Sequence, residues 1–308
     1  MIRSTSFKGW KALVLSTAHA ELVVPLDIGP RVISCALRGG PNLFCVVADE
    51  AGRRGEPEWH LRGGHRLWHA PEHPVRTYEL DNSPIAVTKL GDGQGLRLVQ
   101  PVEPRSGIQK TLSIEILGPT TFKVTHVLEN QGMWDIELSP WAVTVMAHDS
   151  YTTIPFNPKI PHGEALLPDY VLVPWTYTDF TDKIWDYHRD YLGIDATQAV
   201  AKQKLGITNF PGWVANWQPG GTFVKQWALT PGATYPDFGS VFETFACDFM
   251  TELESLGPLV KLAPGQATTH VEHWGLFAGL PKPNTDKIFA KEFRPVIEKW
   301  VKTLGGKR

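Results

Sequence analysis

Ile108-Gln-Lys-Thr-Leu-Ser-Ile-Glu-Ile116, then Gly118-Pro119, then Thr121-Phe-Lys-Val-Thr-His-Val-Leu-Glu129: this stretch decides the fold. Phe122, Val124, His126 and Leu128 recur at every second position, the period of a strand with one face on a core. Gly118-Pro119 supplies a turn. Two such runs about a short turn predict a β-hairpin.

The same rhythm extends in both directions. Upstream, Ala12–Leu15, Ala20–Pro25, Arg31–Leu37 and Leu43–Val47 are short apolar or alternating runs separated by turn residues. Val75–Leu80, Ile85–Leu90 and Leu96–Gln100 follow, with Gly91-Asp92-Gly93 as a turn. Downstream, Asp135–Ala147, Trp213–Trp217, Thr222–Trp227, Val241–Ala246, Met250–Ser255 and Thr268–Leu276 read as strands. The irregular stretch from Thr153 to Asn209 is an elaborated segment over a sheet, and its length predicts that it shapes a site. Within it, Thr181–Leu192 reads as a short capped helix. One long helix closes the chain, with Asn284 or Thr285 as cap, Pro295 as a kink and Gly305-Gly306 as its end. The fold class expected is all-β, with residues 1–280 forming one large domain and residues 281–308 a helical extension packed on it.

Composition agrees. The 308 residues are 42% hydrophobic, with 12 Trp, 28 Gly and 25 Pro, which suits a large β-protein with many turns. Formal net charge is -2 and no basic stripe occurs, so nucleic acid is not the expected partner. No run approaches ~20 apolar residues, so no membrane span is expected. Cys35, Cys45 and Cys247 fit no zinc spacing and read as buried free thiols. With no apolar leader in Met1–Trp10, the expectation is a cytoplasmic protein without metal or cofactor. Dinucleotide, P-loop, nucleophile-elbow and HExxH patterns are absent. Homo-oligomerisation stays open.

Three clusters could carry chemistry. In Gly63-Gly64-His65-Arg66-Leu67-Trp68-His69-Ala70-Pro71-Glu72-His73, the glycines permit close backbone approach and Trp68 offers a face for a pyranose. His65, Arg66, His69 and Glu72 are candidate acid–base and hydrogen-bonding groups. A surface loop with hydrogen-bonded histidines is the plain alternative, and a metal site is a third. In Thr251-Glu252-Leu253-Glu254, two carboxylates two apart share a strand face, where mutual repulsion raises one pKa unless a cation intervenes. The alternative is a solvated edge strand; Glu243 is a further candidate. His148, in Ala147-His148-Asp149, ends a long strand. Asn216 and Lys225, beside aromatic residues, are candidate sugar-hydroxyl ligands or backbone partners, and Arg31 is an ordinary strand residue or a group reaching a site.

Taken in order, Gly9-Trp10, Ile28-Gly29-Pro30-Arg31-Val32, Gly63 to Trp68 with Ala70-Pro71-Glu72, Ser139 to Met146, Tyr235-Pro236-Asp237, Glu252 to Pro258 and Leu262-Ala263-Pro264-Gly265 resemble the galactose mutarotase-like superfamily, in an uncharacterised bacterial branch. The resemblance implies an antiparallel β-supersandwich with a small-molecule carbohydrate bound across one sheet. It also implies aldose 1-epimerase chemistry, in which a glutamate takes the anomeric proton and a histidine protonates the ring oxygen. By position Glu254 matches the base, with Glu252 and Glu243 as alternates. His65 and Arg66 match the early-strand histidine and arginine, and His148 the second histidine, without the asparagine that precedes it in the family. A non-catalytic or regulatory carbohydrate-binding protein on the same scaffold is the competing reading, since fold does not fix function.

Overall fold

The hairpin that anchors the sequence reading forms as strands Ile108–Gly118 and Thr121–Asn130. It lies within a ten-stranded antiparallel sheet, next to strand Ala267–Phe277. The structure, a computed structural model, describes residues 1–305. An eight-stranded sheet packs against the ten-stranded one, and strands Ile2–Phe7, Trp10–Ser16, Ala20–Pro25 and Ser34–Leu37 form a four-stranded sheet of their own. The eight-stranded sheet runs Leu172–Pro174, Gln203–Ile207, Phe242–Cys247, Met250–Leu256, Ile136–Ala147, Gly64–Ala70 and Arg31–Val32, with Val260–Leu262 pairing on Ile136–Ala147. This is the sandwich that the family resemblance implies.

Side-chain alternation sorts each strand between two faces. Phe122, Val124, Phe223, Trp274 and Leu276 from one sheet meet Leu205, Phe242 and Leu253 from the other in one buried cluster. The reverse face of the ten-stranded sheet is covered by the C-terminal helix, whose Phe289, Phe293 and Ile297 pack on Tyr151, Tyr191, Trp213 and Val224. Thr285 caps that helix by accepting from the Ile288 amide. A π-helical turn, Phe289–Phe293, precedes Arg294–Gly305, and places the lost Pro295 donor where the helical ladder is already interrupted. Gly306, expected to end the helix, lies outside the described residues.

Three expectations are corrected. Thr181–Leu192 is not a helix. Asp179 accepts from the Thr181 amide and hydroxyl and Asp182 from the Ile184 amide, while the Asp182 and Trp185 amides donate to the Asp179 and Asp182 carbonyls, so the stretch closes as successive tight turns. The chain then enters strands Trp185–Tyr187 and Tyr191–Asp195. Val75–Leu80 is a turn rather than a strand, held by the His73 amide on Thr77 Oγ1 and the Thr77 amide on the His73 carbonyl. Leu43–Val47 makes only the isolated bridges Phe44 to Met146 and Val46 to Gly63.

Candidate functional site

Registry of the eight-stranded sheet determines which candidates meet. Arg66 lies opposite Val143, Val143 opposite Glu254, and Glu254 opposite Glu243, so all four share one face. Trp68, Trp141, Glu252 and, through Phe245, Lys204 share it too. This face looks away from the ten-stranded sheet and floors an open cavity of about 440 Å³. Trp59, Leu61, Tyr78 and Tyr177 reach into the cavity from irregular segments, and Phe245, Cys247, Phe249 and Met250 line the rest of it.

Glycines make this floor. Gly63 and Gly64 have φ of 89° and 71°, and a Cβ on either would strike the carbonyls of Cys45 and Val32 respectively. Only glycine tolerates both the backbone and the contact, so the paired glycines expected to permit close approach do so against these two segments.

Arg66 sits over Trp68, its guanidinium carbon 4.1 Å from the ring centre, and donates from Nη2 to Glu252 at 3.0 Å. Its Nε and Nη1 are buried without a protein partner. Lys204 is held between Trp141 and Trp175, 4.7 Å from each ring, and bridges Glu243 at 2.9 Å and Glu254 at 3.0 Å. Trp141 Nε1 also donates to Glu254. Burial pushes the Glu243 carboxyl up to about 8, with Glu254 opposing its ionisation and Lys204 favouring it. Glu254 is raised as well, by burial first. One ammonium between two carboxylates leaves one of them favouring its proton. The strand is interior, so the solvated-edge alternative for Glu252 and Glu254 does not apply. Glu252 reaches the cavity; Glu254 and Glu243 lie behind Lys204 and Trp141.

Opposite parity sends His65 and His69 to the other face. Neither lines the cavity. His65 joins a buried polar network between the sheets, with Nδ1 2.8 Å from Thr144 Oγ1 and Nε2 2.7 Å from His126 Nε2. His126 Nδ1 donates to the His270 carbonyl, which leaves its Nε2 to accept from His65. Glu272 accepts from Lys225 at 2.9 Å, from Trp274 Nε1 at 2.8 Å and from Ser255. Burial alone would raise Glu272, but Lys225 foremost outweighs it and holds the carboxyl well below the usual range. Burial pulls His65 well below its ordinary value and His270 down to about 3. His65, His126 and Glu272 would suit a metal by donor type and proximity. Lys225 already neutralises Glu272, however, so a dication would bury two uncompensated positive charges. The cluster is satisfied as a hydrogen-bonded network.

Lys225 therefore serves the inter-sheet network, donating also to the Ala142 and Leu253 carbonyls. Asn216 donates to Thr152 inside the ten-stranded sheet. His69 sits by Glu103, and Arg31 pairs with Asp81. His148, half-buried in the turn after Ala147, does not line the cavity. Glu72 does line it and accepts from Tyr78. Of the sequence candidates, the cavity thus gathers Arg66, Trp68, Glu72 and Glu252, with Glu243 and Glu254 behind. Sequence reading missed Trp59, Tyr78, Trp141, Tyr177, Lys202, Lys204 and the Phe245–Met250 hairpin. The usable signal was Lys204, a charge alternating with apolar residues in Gln203-Lys-Leu-Gly-Ile207.

No known family profile and no curated sequence matches this chain. Solved structures do. A galactose mutarotase-like protein from Lactobacillus casei aligns over 86% of this chain and 99% of its own, with TM-score 0.57 at 10% identity. Another, from Clostridium acetobutylicum, covers 90% of this chain and 98% of its own, with TM-score 0.56 at 12% identity. A TPR-domain containing protein from Parabacteroides distasonis aligns over 89% of this chain at TM-score 0.59 and 14% identity, and this chain spans about half of it, 48%. At such identities the likeness concerns fold: the chain is built as a galactose mutarotase-like β-sandwich.

Proposed function

We propose that this protein binds a carbohydrate in the cavity on the exposed face of the eight-stranded sheet. One observation carries the reading. The Arg66–Glu252 ion pair lies on an indole face inside an aromatic-walled cavity, and two guanidinium nitrogens remain without partners. A sugar ring presents an apolar C–H face and a rim of hydroxyls that both donate and accept. Trp59 and Tyr177, the less buried rings of the cavity wall, suit the first; Arg66, which only donates, and Glu252, which only accepts, suit the second.

A second, catalytic reading is aldose 1-epimerase-like interconversion of anomers. The fold likeness favours it, as does Glu252, a carboxylate within reach of a bound ring. Among the described residues no imidazole lines the cavity. Proton delivery to the ring oxygen would then fall to Tyr78, whose hydroxyl is raised above the usual phenol range by burial and by Glu72. A reluctant acid makes for slow exchange. Proton NMR of freshly dissolved α-glucose and α-galactose separates the readings. Saturable binding with anomer exchange at the uncatalysed rate is the expected result. Exchange that is accelerated by the protein and lost in Glu252→Gln establishes the catalytic reading instead. Absence of binding across an aldose panel overturns both.

A further inference from the structure

The cavity's lining residues extend along the strands, and the two ends of that lining carry separate aromatic and polar groups. Trp141, opposite Leu256, lines one end, and Met250, opposite Ala147, lines the other. The distance along the strand from position 141 to position 147 is about 20 Å at the ordinary rise of a strand. That is several times the span of one pyranose ring. At the tryptophan end the aromatic floor is deep: Trp68 is 6% exposed and Trp141 3%. At the far end Phe249 is 45% exposed at the tip of the hairpin joining Phe242–Cys247 to Met250–Leu256. Lys202 lines the same end of the cavity. Gln203 faces Ala246, so the next position outward along that strand falls level with Cys247. Lys202 is exposed and makes no ion pair among the described residues. The far end therefore carries an aromatic ring open to solvent and an unpaired donor, where the other end carries the Arg66–Glu252 pair over buried indoles.

We propose that the trough takes an oligosaccharide of two or more units laid along the strands. One ring sits over Arg66 and Glu252 against Trp59, and a later ring sits over Phe249 near Lys202. This rests on the carbohydrate reading above and adds chain length to it. A monosaccharide fills one end and leaves the other bare. A longer saccharide gains a second stacking contact, whose usual size corresponds to about fivefold in affinity.

The experiment is calorimetric titration of the full chain with ladders of gluco-, manno- and galacto-oligosaccharides from one to four units. In the ladder that binds, the tetrasaccharide should bind at least fivefold tighter than the monosaccharide. Phe249→Ala should remove most of that ratio, and Lys202→Ala should reduce it. Both side chains are exposed, so a thermal melt matching the wild type confirms that the variants are folded. A monosaccharide that binds as tightly as its tetrasaccharide overturns the inference and leaves the proposed function standing. A ratio unchanged by Phe249→Ala also overturns it. Failure of every saccharide to bind overturns both.

Discussion

Mild acid should destabilise this protein. His65, His126 and His270 are buried between the sheets, and burial lowers all three, His270 to about 3. In the unfolded chain each takes a proton near pH ~6.5. Below that point the unfolded state binds more protons than the folded one, so stability falls as pH falls. Each such histidine costs about 1.4 kcal/mol per pH unit. Glu243 acts oppositely: raised to about 8, it keeps a proton in the folded state that the unfolded chain holds only below its ordinary 4.5. It offsets about one histidine, while His69, also lowered by burial, adds to the other three. Net stability should therefore fall by a few kcal/mol between pH ~7 and pH ~4.5. Against a total stability of roughly 5–15 kcal/mol, that is a large fraction. Glu272, held well below its ordinary value, and Glu103, held at about 2 mainly by Lys110 against the opposing effect of burial, lose their contribution only in stronger acid. Guanidinium unfolding at about pH 7, 6 and 5 measures the slope through the midpoints. Equal stability at pH 7 and pH 5, to within about 1 kcal/mol, would refute the neutral-histidine network.

Three further outcomes follow from the same geometry. Lys225→Met strands the Glu272 charge between the sheets and should cost about 3–5 kcal/mol, while Lys225→Met with Glu272→Gln should recover much of it; paired denaturation curves check this. Gly64→Ala forces a left-handed alanine against the Val32 carbonyl and should cost more than about 2 kcal/mol, read as a lowered melting temperature. Arg66→Gln removes the charged partner of Glu252 and should weaken sugar binding about tenfold or more, by titration, as expected for loss of a charge-assisted contact of about 1.5–3 kcal/mol.

The strands were legible because strand periodicity is local, whereas their stacking as a sandwich came from the family resemblance. Phe122, Val124 and Leu128 declare a buried face without help from the rest of the chain. The same parity rule, applied to His65 and His69, groups them correctly on one face, but a single strand cannot say which face meets the partner sheet. That depends on Thr144, His126 and Glu272, brought in from distant strands. Glu252 and Glu254 were likewise placed together, yet their division between cavity and interior depends on Lys204 and Trp141, which only registry across strands supplies. The Thr181–Leu192 error has a different origin. Thr181 and Asp182 read equally well as helix caps or as turn formers, and pairing of Trp185–Tyr187 with Tyr191–Asp195, which a single segment does not announce, decides for the turn.

The central claim is that a sugar docks on Glu252 and Arg66 on the open sheet face. Tryptophan fluorescence titration with an aldose and oligosaccharide panel, comparing wild type with Glu252→Gln, tests it directly because Trp59, Trp68 and Trp141 line the cavity. The account predicts a saturable change in the wild type that shifts to about tenfold higher sugar concentration in the variant. A saturable signal with the same midpoint in both proteins, or none in either, contradicts it.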